Sequence, residues 1–153
     1  MSTQNVLKKC LDKGLTMAFA ESMTGGGACY EMIKNHGASK VVLGGMITYH
    51  EDLKAKWLDV DANTVITHGV VSLEVAQMMA KQVQIKSGAS IGIGVTGNAG
   101  PTTQDERQGL VCYVSIYYEQ TFTDQELVFE DLTREEAIEL TIEAIYQKLD
   151  EML

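Results

Sequence analysis

Apolar residues recur along the chain in two rhythms, a spacing near 3.6 and short continuous runs, and their alternation predicts helices interleaved with strands. Residues 3 to 13 read as a helix closed by Gly14, and LTMAFAES as a buried strand. CYEMIKNHG reads as a helix ending at Gly37, SKVVLGGMITYH as a strand and EDLKAKWLDV as a short helix. SLEVAQMMAKQVQIKSG is amphipathic, with Ser72 as its N-cap and Val75, Met78, Met79 and Val83 on one buried face. ASIGIGVTG and GLVCYVSIYY are strand-like, and after a polar turn QELVFEDL predicts another strand. A last helix is expected near Thr133, where Thr133 and Glu136 have capping-box spacing and Ile138, Ile142, Ile145 and Leu149 form an apolar stripe. The expected fold class is α/β, a three-layer α/β/α arrangement with a mixed sheet, because hairpin-like neighbours coexist with helical crossovers.

Composition narrows the function classes. At 153 residues, 45% hydrophobic and 22% charged, with one proline and no internal repeat, the chain suits one domain over 1–153. Twenty-one acidic against 12 basic residues give a formal charge of −9, and the basic residues form no run that could track a phosphate backbone, so nucleic acid is not expected as a partner. No apolar stretch approaches the roughly 20 residues of a membrane span, and MSTQNVLKKC does not read as a signal peptide, so a cytoplasmic protein is expected. Cys10, Cys29 and Cys112 lack C-x-x-C spacing and are expected as reduced thiols. His36, His50 and His68 lack metal-ligand spacing, so neither a metal nor a cofactor is expected. His36 before Gly37 reads as a helix-end residue, and His68 as part of a turn.

Three segments concentrate candidate chemistry. In FAESMTGGGA, residues 19 to 28, three glycines follow a strand where a helix should start, which bares N–H groups to an anion or a developing oxyanion. Ser22 there is placed either as a nucleophile or as a helix cap, although AESMTG does not match the G-x-S-x-G elbow. GVTGNAGPTT, residues 94 to 103, is a second glycine cluster. Gly92, Gly94 and Gly97 spell G-x-G-x-x-G inside a strand pattern with no helix following, so they are not read as a dinucleotide fingerprint. GGMITYHEDLK brings Tyr49 and Lys54 five residues apart. A Ser, Lys and Tyr set can hydrolyse an amide without histidine, provided that burial lowers the lysine pKa; the alternatives are a solvated helix lysine and a strand-end aromatic.

Taken together and in order, AESMTGG, GGMITYHEDLK, THGVVSLEVAQMMA and GVTGNAGP resemble the CinA C-terminal domain family over almost the whole chain. That resemblance implies a nicotinamide mononucleotide amidohydrolase that releases ammonia and gives nicotinate mononucleotide in pyridine nucleotide salvage. It implies Ser22 as nucleophile, with Tyr49 and Lys54 activating it. Thr24, Gly25 and Gly26 match the turn beside the nucleophile, Gly45 the second glycine pair, Thr96, Gly97, Ala99 and Gly100 the other glycine loop, and Arg134 the first of two arginines. The chain resembles the stand-alone form, without room for the N-terminal domain of larger relatives. Family members are often dimers, so the resemblance implies a small-molecule substrate and a homo-oligomer.

The sequence departs from the family pattern at His50 and Glu51, where Ser-Asn is usual, in TTQDERQG after GNAGP, with the changed loop at 102–108 and only Gly109 kept, and at Ile138, where a second arginine would stand. If that arginine holds a phosphate, its loss removes a charge-assisted bond of about 1.5 to 3 kcal/mol. Two other readings follow: a non-catalytic relative that binds a nucleotide, and a hydrolase of another small carboxamide.

Overall fold

The computed structural model describes residues 2–100 and 110–153. Its elements, in chain order, are α1 (Ser2–Lys13), β1 (Met17–Glu21), α2 (Gly27–Ile33), a 3-10 turn (Ala38–Lys40), β2 (Val42–Ile47), α3 (Glu51–Leu58), α4 (Ala62–His68), α5 (Leu73–Ser87), β3 (Ile91–Gly97), β4 (Val111–Tyr118), β5 (Thr121–Val128) and α6 (Arg134–Met152). The strands form one sheet in the order β2-β1-β3-β4-β5. β1 lies parallel to β2 and β3, whereas β3–β4 and β4–β5 are antiparallel, so the sheet is mixed as the sequence predicts.

Strand alternation sorts the core into two layers, because successive side chains point to opposite faces. Met17, Phe19, Ile91, Ile93 and Val95 join Val6, Met32, Ile145 and Leu149 on one face, beneath α1, α2 and α6. Ala18 and Ala20 join Val75, Met79 and Val83 on the other, beneath α5. Each large apolar side chain so buried contributes roughly 1.5 to 3 kcal/mol. Small residues on the second face let α5 approach closely. A Cβ at Gly92 would stand 2.0 Å from the Ala80 carbonyl oxygen, and one at Gly94 2.3 Å from that of Ala76. Those glycines therefore serve helix-on-strand contact, in keeping with the rejection of a dinucleotide motif.

Local signals act where they were expected. Ser72 Oγ accepts from the Val75 N–H at 3.3 Å, and Thr133 with Glu136 makes both bonds of the capping box. Four expectations are corrected. α2 ends at Ile33 rather than Gly37, since the Asn35 side-chain amide donates to the Glu31 and Met32 carbonyls at 2.8 and 3.1 Å and takes over the last turn. His36 accordingly lies beyond the helix end. His68 closes α4 instead of belonging to a turn; that helix has no buried residue and so no apolar stripe to reveal it. β5 starts at Thr121, four residues before QELVFEDL, because Glu119 and Gln120 at φ 51° and 62° make a tight hairpin turn directly after β4.

Candidate active site

β1 is a central strand, and it delivers Ser22 at its C-terminal end, immediately before the turn into α2. Two overlapping turns fold that connection, with Gly25 N–H donating to the Ser22 carbonyl at 3.0 Å and Gly27 N–H to that of Thr24 at 2.9 Å. Gly25 and Gly26 have φ of 58° and 98°, which a residue with a Cβ adopts at a cost. The backbone N–H groups of Met23, Thr24 and Gly26 have no acceptor among the described residues.

β2 runs beside β1, so the chain leaving it passes the same sheet edge. Thr48 N–H donates to the Glu21 carbonyl at 2.8 Å, extending the ladder past the strand end. His50 then caps α3, its Nδ1 accepting from the Asp52 N–H at 3.2 Å, and the first turn carries Lys54 inward. Lys54 is only 1% exposed. Its Nζ donates to Ser22 Oγ at 3.0 Å and to the Thr48 carbonyl at 2.9 Å. Burial lowers its pKa to about 8, with Glu51 opposing the shift. Such an amine is an available base near neutrality.

Tyr49 is half-exposed, and its phenolic oxygen accepts from an Arg134 guanidinium nitrogen at 2.6 Å. Another nitrogen of Arg134 donates to the Gly100 carbonyl at 2.9 Å. One arginine at the start of α6 thereby joins the β2–α3 connection to the second glycine loop. The remaining candidates have packing roles that the geometry makes plain. Thr96 Oγ1 donates to the Val70 carbonyl at 3.0 Å, Ala99 is buried in the core, and a Cβ on Gly97 would stand 2.7 Å from Cys112 Cα and from Met23 Sδ. Gly45 lies against β1, where a Cβ would meet the Phe19 carbonyl oxygen at 2.8 Å. The changed loop at 102–108, with Gly109, lies outside the described residues. Ile138 is half-buried and packs on the core with Ile142.

Sequence reasoning passed over Glu21. This carboxylate is 1% exposed and accepts from Thr24 Oγ1 at 2.6 Å, Ala28 N–H at 2.8 Å and Cys29 N–H at 3.0 Å. An acidic residue closing an apolar strand run was the available signal. Burial and the nearby Glu21 charge raise the Cys29 thiol pKa, which disfavours the thiolate. A cavity of about 550 Å³ opens elsewhere, among α1, α2 and α6. Glu31, Glu139 and Glu143 line it, which disfavours an anionic substrate there.

The family model of the CinA C-terminal domain matches residues 1–153. A CinA-like protein of Prochlorococcus marinus is 37% identical over 139 residues, covering 90% of this chain and 32% of that protein. The chain spans 25% and 36% of the length of two other curated relatives, from Lysinibacillus sphaericus and Bacillus cytotoxicus. The crystal structure of the competence/damage inducible protein CihA from Agrobacterium tumefaciens superposes with a TM-score of 0.92 at 27% identity, covering 97% of this chain and 91% of that one. The competence damage-inducible protein A from Klebsiella pneumoniae, at 23% identity and a TM-score of 0.94 over 99% of this chain and 94% of its own, shares the fold. On the family model and the identity to its relatives, the chain belongs to the CinA C-terminal domain family.

Proposed function

We propose that this chain is a serine amidohydrolase of a small carboxamide, with nicotinamide mononucleotide as the substrate that the family resemblance favours. The observation that carries the reading is the buried Lys54 amine, 3.0 Å from Ser22 Oγ. With a pKa of about 8, the amine is neutral in about a tenth of molecules at pH 7, about 300-fold more than at the ordinary lysine value of 10.5.

The neutral amine takes the Ser22 hydroxyl proton as Oγ attacks the carboxamide carbon. The oxyanion that forms is stabilised by N–H groups of the Met23–Gly26 turn, each such donor contributing roughly 3 kcal/mol. The Lys54 ammonium returns the proton to the leaving nitrogen as the C–N bond breaks, releasing ammonia and leaving an ester on Ser22. Water loses its proton to Lys54 as it attacks that ester, and the ammonium passes the proton to Ser22 Oγ as the ester bond breaks. This frees the acid, ionised to the carboxylate in water, and restores the neutral amine. The family resemblance gives Tyr49 a part in proton transfer; here its hydroxyl is held by Arg134, which also binds the Gly100 carbonyl.

A second reading, hydrolysis of a different small carboxamide, is favoured by Ile138, which stands where the family resemblance implies a second arginine and packs on the core instead. Ammonia release from nicotinamide mononucleotide, its nucleoside and free nicotinamide tests both. Turnover of the nucleotide supports the first reading, turnover confined to the others supports the second, and silence on all three leaves a binding protein.

A further inference from the structure

Glu21 is a costly way to cap a helix. The N-cap position of α2 is Gly26, which has no side chain, and the first free N–H groups of the helix are met instead by a residue five positions earlier, at the end of a central strand. Burying a carboxylate is costly until its hydrogen bonds offset it, and a side-chain cap at position 26 is closed off, because Gly26 has φ 98° and a Cβ there would meet Ile47 Cδ1 at 3.0 Å. An acid at 21 does something that a local cap cannot. Its two oxygens bind Thr24 in the turn together with Ala28 and Cys29 in the helix, and so fix the span from the strand end across the whole connection. Ser22 and the N–H groups of Met23, Thr24 and Gly26, which have no acceptor among the described residues, lie inside that span.

We propose that Glu21 is a positioning residue of the Ser22 site: its carboxylate clamps the connection of residues 22–26, holding the Ser22 hydroxyl on Lys54 and the neighbouring N–H groups beside it. The proposal rests on the amidohydrolase reading. Glu21→Gln is the informative change, because it keeps size and removes charge while setting an NH₂ group against N–H and O–H donors that need an acceptor. The turn must then shift.

The test compares the full chain with Glu21→Gln and with Tyr146→Phe. The second variant loosens the same helix turn from another side, since the Tyr146 hydroxyl donates to the Ala28 carbonyl. Three quantities are read for each: kcat and KM for ammonia release, the labelling rate of Ser22 by a sulfonyl fluoride, and melting temperature. Glu21→Gln should lower kcat and the labelling rate at least tenfold, with KM within about threefold, while Tyr146→Phe loses melting temperature but keeps kcat. Unchanged kcat in Glu21→Gln overturns the proposal, as does an equal kcat loss in Tyr146→Phe. If Glu21→Gln fails to fold, a normal labelling rate in Glu21→Asp, whose shorter arm cannot span all three donors, overturns it too. A wild-type chain that neither hydrolyses nor labels removes the amidohydrolase reading and the proposal with it, whereas an active wild type with an indifferent Glu21 removes the proposal alone.

Discussion

Lys54 Nζ lies 3.0 Å from Ser22 Oγ, and both side chains are shut away from solvent. Removing either should therefore separate activity from stability. Ser22→Ala should abolish turnover and leave the fold intact, because a small side chain at a turn carries little of the core. Lys54→Met keeps the stem and loses the proton acceptor, so turnover should fall about 10²- to 10⁴-fold. It also removes a buried amine, so its melting temperature should equal or exceed that of the wild type. Calorimetry alongside the ammonia assay reads both quantities, and normal turnover in Lys54→Met takes lysine out of the mechanism.

The lowered Lys54 pKa sets the direction of the pH dependence. On the proposed mechanism the active form is the neutral amine, so kcat/KM should climb from pH 6 and level off above about 8. Stability follows from the same shift. Between about 8 and the ordinary value of 10.5 the unfolded chain binds the proton that the native chain has lost. This group therefore makes unfolding harder as pH rises through that window, and its penalty is fully present below it. Urea titrations of wild type and Lys54→Met at pH 7 and 9.5 isolate the effect, since only the wild type should gain. Equal changes in both proteins would place its origin elsewhere.

Ile138 packs on the core beside Ile142, one turn after Arg134. An arginine there gives up part of this apolar packing and sets a charge against the core. Ile138→Arg should lower the melting temperature by several degrees, with no gain specific to the nucleotide. The wild type, lacking the second arginine, should handle nucleoside and nucleotide with kcat/KM values within about tenfold. A selective fall in KM for nicotinamide mononucleotide in the variant would instead show position 138 to face the phosphate.

What was legible in the sequence followed the range of the interaction. The capping box of Thr133 and Glu136, the Ser72 cap and the alternating apolar faces are local, and they appear as read. The β4–β5 turn is expected but read as longer than it is, because Glu119 and Gln120 take positive φ without the Asn or Gly that usually announces a two-residue turn. At the site, motif order alone pointed to Ser22, Tyr49 and Lys54. That Lys54 is buried depends on β2 lying beside β1, a contact between segments some 30 residues apart. The threefold grip of Glu21 depends on the turn geometry and has no spacing rule to expose it.

The contact of α5 with β3 gives a stability test. A methyl group at Gly94 would stand 2.3 Å from the Ala76 carbonyl oxygen and 2.6 Å from the Ala80 nitrogen, both backbone atoms that cannot rotate away. Gly94→Ala should cost about 1 to 3 kcal/mol or more. Gly88→Ala, at a left-handed helix end with open space around it, should cost about 1 kcal/mol through strain alone. Denaturant midpoints for the pair read the difference, and equal losses would show that α5 can be pushed off the sheet cheaply.

β2 is an edge strand with one neighbour, whereas β1 is paired on both sides. The proposed nucleophile, Ser22, thus follows a strand held on both sides, whereas the proposed base, Lys54, follows the sheet margin, where fraying is cheapest. A transient peeling of residues 42–48 would carry the Thr48 carbonyl and Lys54 away together and hydrate the amine. On the proposed mechanism, turnover should therefore respond to substitutions that weaken the hydrogen bonds of this strand margin before the melting temperature does.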